Sequence, residues 1–164
     1  MANFATSNSL GGTQVAISNA YKTLINAYGG ATTQRRGKIY DVLVGTNGTP
    51  ADNYMEWDIS RFSATAILTG TVVTPNPLDT ADSAYLGASV ANATTENTYV
   101  NNGTGASVFY VGVNQRASYR WVVDPGSVGA IVTPATTANG IAIGGINASA
   151  AYSSTYAVSA YYQE

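Results

Sequence analysis

Turn-forming clusters interrupt this chain about every ten residues, and that spacing constrains its fold more than any other feature. Gly29-Gly30, Gly45-Thr46-Asn47-Gly48-Thr49-Pro50, Thr74-Pro75-Asn76-Pro77, Asn114-Gln115-Arg116-Ala117 and Asp124-Pro125-Gly126 all carry turn chemistry. The runs between them are too short for helices able to cover a parallel sheet, so α/β layouts are excluded. An antiparallel sandwich or barrel remains. Thr and Tyr, which favour strands, and Asn and Gly, which favour turns, push the same way.

Several of the runs read directly as strands. Lys38 to Val44 is rich in β-branched and aromatic residues. Tyr54 to Phe62 alternates, with Met55, Trp57 and Ile59 on one face and Glu56, Asp58 and Ser60 on the other. Ala64 to Val73 follows, and Val108 to Val113 is apolar on both faces, as in a central strand. Tyr119 to Val123, Val128 to Val132, Gly140 to Ile146 and Thr155 to Tyr162 complete the set.

Ile17 to Tyr28 fits two descriptions. Ile17, Tyr21, Leu24, Ile25 and Tyr28 share a helical face, yet Thr, Tyr and Ile favour strands and a Gly29-Gly30 turn follows at once. The balance favours a strand. Asp79 to Gly87 predicts one short helix, with Asp79 as N-cap and Gly87 as the C-terminal stop. Val90 to Gly105 is a polar, Asn- and Thr-rich excursion.

Eight to nine short strands with unequal loops, over a 164-residue chain, predict a single all-β domain: an antiparallel β-sandwich of jelly-roll type. Trp57, Phe109, Val111, Val113, Trp121, Ile141 and Ile143 are its expected core. Residues 1–14 are small, polar and aperiodic, and read as a flexible arm ahead of a domain spanning 15–164. The opening residues lack the basic start and apolar core of a signal peptide, and no stretch approaches the roughly 18 apolar residues of a membrane span. The expectation is synthesis in a cytoplasm.

Charge is scarce: seven Lys/Arg and nine Asp/Glu make up 10% of the chain, for a net charge of −2. A surface carried by Thr, Ser, Asn and Tyr suits extensive contact with a partner, since few charges need desolvating. Nucleic acid is not such a partner, because Arg35-Arg36-Gly37-Lys38 is too small a basic cluster to track phosphates.

Cysteine and histidine are both absent. Disulfides, thiolate chemistry, histidine metal sites and the common nucleophile–base pairs disappear together. No catalytic, cofactor-binding or metal-ligating residue is expected. Glu56 and Asp58 are the best carboxylate pair, about 6–7 Å apart on one strand face, which overlaps glycosidase separations. The plainer account is the solvent face of an alternating strand, and Trp57 points the other way. Asp79 and Asp82 lack the remainder of a calcium loop, and helix capping explains them better. Gly45 to Gly48 has no Lys-Ser/Thr to make a phosphate loop, and Gly144-Gly145 reads as a strand break. Tyr152, Tyr156, Tyr161 and Tyr162 crowd the C-terminal region and are the candidate subunit interface, since Tyr anchors protein contacts; Tyr85, Tyr99 and Tyr110 lie elsewhere.

Three stretches carry a resemblance: Gly45-Thr46-Asn47-Gly48-Thr49-Pro50-Ala51-Asp52-Asn53, the run from Val113 to Val122 (Val-Asn-Gln-Arg-Ala-Ser-Tyr-Arg-Trp-Val), and Tyr161-Tyr162-Gln163-Glu164. Together they resemble small β-rich virion proteins of tailed bacteriophages, over most of the chain from about Tyr21. The resemblance implies a capsid decoration (cement) protein, a homotrimer that binds the major capsid protein on the outer head shell. Two alternatives stay open. One is a tail or head–tail connector component, separated from decoration by copy number. The other is a carbohydrate-binding jelly roll, which would need an exposed Trp.

Overall fold

Two-residue alternation builds the longest strands. In β5 (Tyr54–Ser63) Met55, Trp57 and Ile59 are buried, and in β13 (Ser154–Gln163) every second side chain from Ser154 to Tyr162 is buried. The computed structural model describes residues 1–11, 14–30, 35–63, 69–96, 107–137 and 139–164. The other strands are β1 (Asn3–Ser7), β2 (Ala16–Ile17), β3 (Lys22–Tyr28), β4 (Lys38–Thr46), β6 (Thr71–Val73), β7 (Asn76–Pro77) and β8 (Ser89–Ala91). β9 (Ser107–Asn114), β10 (Tyr119–Val122), β11 (Ile131–Val132) and β12 (Asn139–Asn147) follow.

The chain is all-β, in two antiparallel sheets. One runs β10-β4-β13-β1-β7, with β11 also against β4 and β2 also against β13. The other runs β6-β8-β3-β12-β5-β9. Between them lies one core in which Val42 and Val44 of β4 and Tyr156 and Val158 of β13 meet Trp57 and Ile59 of β5 and Ile141 and Ile143 of β12. A second, smaller cluster joins Tyr28, Phe62 and Ala142 to Val90 and Ala93. Phe62 has the parity of Glu56 and Asp58 and is paired with Gly140, so this cluster sits on the far side of the sheet from Trp57.

Ile17 to Tyr28 is not helix: Ile17 ends β2 and Lys22–Tyr28 is β3, with a bend at residues 18–21 between them. The strand predicted at 140–146 runs straight through its glycines. β12 pairs with β5 from Asn139 to Asn147, and a register shift against β3 falls between Ile143 and Gly144. A Cβ on Gly144 would lie 2.2 Å from the Lys22 carbonyl oxygen, so glycine admits a bulge here instead of ending the strand.

Four expectations are corrected. The flexible arm is not one over its described residues: Asn3–Ser7 is a strand between β13 and β7, with Phe4 opposite Tyr162 and Pro77. Phe4 is buried, and the Asn8 amide bonds the Tyr156 carbonyl at 2.8 Å and the Val158 N–H at 2.9 Å. Burying a Phe and completing a ladder offsets the ordering cost that a polar sequence alone could not.

The helix at Asp79–Gly87 does not form. Asp79 makes a turn, accepting from Ala81 N–H at 2.9 Å through its side chain and from Asp82 N–H at 3.0 Å through its carbonyl. The N–H groups of Leu86 and Gly87 go to the Glu164 carboxylate at 3.2 and 3.1 Å, and Tyr85 packs edge-on to Phe4 at 5.1 Å. Tertiary partners outcompete the helix.

Third, β9 is an edge strand and not a central one. It alternates, with Phe109, Val111 and Val113 half-buried and Val108 and Tyr110 exposed. Fourth, the eight or nine strands become thirteen among the described residues, because Ile17 to Tyr28 divides into β2 and β3 and because β1, β7 and β8 form where an arm, a turn and a polar stretch are expected. Of the Ala64 to Val73 prediction, Thr71–Val73 is strand, while residues 64–68 lie outside the described residues; so do 97–106 of the polar excursion, including Tyr99.

Candidate functional site

The two edge strands β9 and β10 are joined by the tight turn in which Ala117 N–H meets the Asn114 carbonyl at 2.9 Å, so both sheet edges open on one side of the molecule. Inward alternation from each brings aromatics to the opening. Phe109 stacks on Tyr119 at 5.7 Å and 25°, and meets Trp121 at 6.0 Å and 43°. All three are half-buried, and with Val42, Val44 and Trp57 they line a narrow apolar cleft. Among the described residues β9 pairs only with β5 and β10 only with β4, so each carries a row of backbone N–H and C=O groups without ladder partners.

The turn itself is locked from inside. Gln115 is buried; its amide donates to Asn147 Oδ1 at 2.9 Å and the Tyr152 carbonyl at 2.8 Å, and accepts from Ala51 N–H at 2.9 Å. Tyr156 donates its hydroxyl to Asn147 Oδ1 at 2.8 Å, and Asn147 donates to the Ile17 carbonyl at 2.7 Å. Five chain segments are thereby tied to the base of the β9–β10 corner.

Outside the same corner, the outer faces of β5 and β9 hold a polar aromatic group. Tyr54 donates to Glu56 Oε1 at 2.6 Å, Tyr110 donates to the same oxygen at 3.0 Å, and the two phenol oxygens are 2.8 Å apart. The Glu56 bond, then the Tyr110 bond, hold the Tyr54 phenol well above the usual tyrosine range, so it stays a protonated donor. Burial raises the Asp58 carboxyl, partly offset by donated hydroxyls of Ser107 and Ser60 and reinforced by the charge of Glu56. Glu56 and Asp58 therefore share one face, as alternation predicts. Their hydrogen-bond partners are hydroxyls, on a sheet surface and not between facing walls.

The four C-terminal tyrosines do not form one patch. Tyr156 and Tyr162 are 0% exposed, Tyr156 edge-on to Trp57 at 5.4 Å and Tyr162 beside Tyr85 at 5.7 Å. They belong to the core and are unavailable as an interface. Tyr161 lies on the outer face of the seven-stranded sheet, 6.4 Å from Tyr40, and Tyr152 is exposed in the 3-10 turn Ala150–Tyr152. Parity separates them: even-numbered tyrosines of β13 face in. Of the expected core, Trp57, Ile141 and Ile143 are buried, whereas Phe109, Val111, Val113 and Trp121 are half-buried along the open edge.

Among the described residues no three Asp or Glu side chains converge as metal ligands. Comparison with family models, with curated proteins and with solved structures gives no match for this chain.

Proposed function

We propose that the chain is a structural component of a tailed-phage virion, a non-enzymatic decoration protein that sits on the outer head shell as a homotrimer against the major capsid protein. Strand order supports the fold on which this reading rests. Number the eight strands β1, β3, β4, β5, β9, β10, β12 and β13 from one to eight in sequence. The first sheet then reads one-eight-three-six and the second two-seven-four-five. That order supports a jelly roll, with β6, β7 and β8 as additions between the fourth and fifth strands.

Jelly rolls serve viral shells and lectins alike, so fold alone does not choose a role. The resemblance of the three stretches to phage virion proteins supplies the choice. The two unpaired edges and their aromatic seam favour assembly with neighbours, since covering them removes apolar area and completes hydrogen bonds. With Tyr156 and Tyr162 in the core, the subunit contact of the trimer moves to the β9–β10 corner. The test is co-sedimentation of the purified chain with undecorated phage heads. Saturable binding that raises the heat resistance of the heads is the expected result, because a ligand of the assembled state stabilises it by mass action. No binding to heads refutes the proposal.

A further inference from the structure

The outer corner of β5 and β9 has features that assembly through the sheet edges does not use. Tyr54 is 43% exposed and Tyr110 is 55% exposed, yet both hydroxyls are pinned to one carboxylate oxygen. A Cβ on Gly112 would stand 2.5 Å from Tyr54 Cε2, so the ring of Tyr54 rests against the β9 backbone where only glycine admits it. An exposed aromatic ring on a sheet ordinarily rotates freely; this one has its ring seated and its hydroxyl tethered. Glu56 Oε2, by contrast, accepts no hydrogen bond among the described residues. Beside the rings a shallow depression is lined by Asp52, Asn53, Gly112 and Asn114, with Asn114 donating to Asp52.

We infer that this corner is a binding site for a neutral saccharide: Tyr54 and Tyr110 offer fixed ring faces to the C–H face of a pyranose, and Glu56 accepts its hydroxyls. The chemistry is matched on each side. A pyranose carries an apolar face of axial C–H groups and a rim of hydroxyl donors; the corner carries ring faces and a rim of acceptors. Preorganisation matters because a weak ligand leaves little binding energy to spend on freezing side chains. Asp52, Glu56 and Asp58 disfavour phosphorylated, sulfated or carboxylated sugars, which fixes the class as neutral. Neither Trp takes part; the exposed rings are tyrosines. The inference stands independently of the virion reading, because it uses a different face of the molecule.

The test is titration of the full chain with neutral oligosaccharides of glucose, galactose, mannose and N-acetylglucosamine, followed by ligand-observed NMR and calorimetry. A lysine-rich peptide serves as the charged comparison. One neutral series should bind. Tyr110→Ala should weaken that binding about tenfold, the scale of one lost aromatic stack. Gly112→Ala, which displaces the Tyr54 ring and touches no polar group, should weaken it similarly. Tyr110→Phe should retain most of the affinity, and all three variants should melt within a few degrees of the parent because Tyr110 and Gly112 are surface positions. The inference is overturned if no neutral saccharide binds at about 10 mM, well beyond the weakest useful affinity. It is equally overturned if binding is indifferent to both Tyr110→Ala and Gly112→Ala, or if only the lysine-rich peptide binds.

Discussion

Trp57 and Trp121 carry the same indole into different surroundings. Trp57 is 3% exposed and packed on Tyr156, while Trp121 is half-buried on the open edge against Phe109. Trp57→Ala should cost about 3–5 kcal/mol, the range for removing a buried large aromatic, and Trp121→Ala roughly half of that. Urea midpoints of the two variants measure the difference; equal losses would contradict the edge assignment. Tyr85 and Tyr162 make a second test. Burial raises both phenols, with the Glu164 charge adding to Tyr85 and that of Tyr85 to Tyr162. The unfolded chain gives up these protons near pH 10, while the folded chain holds them. Their contribution is therefore complete below about pH 10 and is lost as pH rises beyond it. The urea midpoint should fall steeply between about pH 10 and 11, and Tyr162→Phe should flatten that fall. A pH-independent midpoint would contradict the burial of Tyr162.

At the scale of elements, pairing across long sequence separations decides what the sequence alone could not tell. Deleting residues 1–8 should unfold or strongly destabilise the domain, because β1 fills the sheet between β13 and β7 and Asn8 bonds β13. Circular dichroism melts would register it; an unchanged melt would restore the flexible arm. Gly144→Ala should likewise destabilise by at least about 2 kcal/mol, since a methyl would meet the Lys22 carbonyl.

β5 and β13 were legible because period-two burial is written in their own residues. The sequence of β9 reads as central because Val108 and Tyr110 are apolar or aromatic residues on an exposed face, which periodicity cannot distinguish from a second buried face. The loss of the helix at Asp79–Gly87 depends on Glu164, 77 positions from Gly87. The candidate site was least legible: Tyr110 and Glu56 stand 54 positions apart and meet only through the β5–β9 register. Alternation places Tyr54, Glu56 and Asp58 on one face, but no local signal brings Tyr110 to that carboxylate.

Across the whole molecule charge is sparse, with seven Lys/Arg and nine Asp/Glu. Only two ion pairs occur among the described residues, Lys22–Glu96 and Arg120–Asp41, and Arg120 grips Asp41 with two hydrogen bonds of 3.0 and 2.6 Å. A surface so weakly charged has little repulsion to keep copies apart, and two sheet edges that lack ladder partners among the described residues invite a symmetry mate. Val111→Pro, which disturbs the β9 edge, should dissociate the proposed trimer in sedimentation runs while the far-ultraviolet circular dichroism stays that of a β protein. A variant that remains trimeric would move the contact elsewhere.

The measurement that bears most directly on the proposed role is the copy number of this chain in purified particles, by quantitative gel against the major capsid protein. A decoration protein bound at the repeating local three-folds of a shell is present in on the order of hundreds of copies. About a dozen or fewer, as a connector ring would give, or none at all, would contradict it.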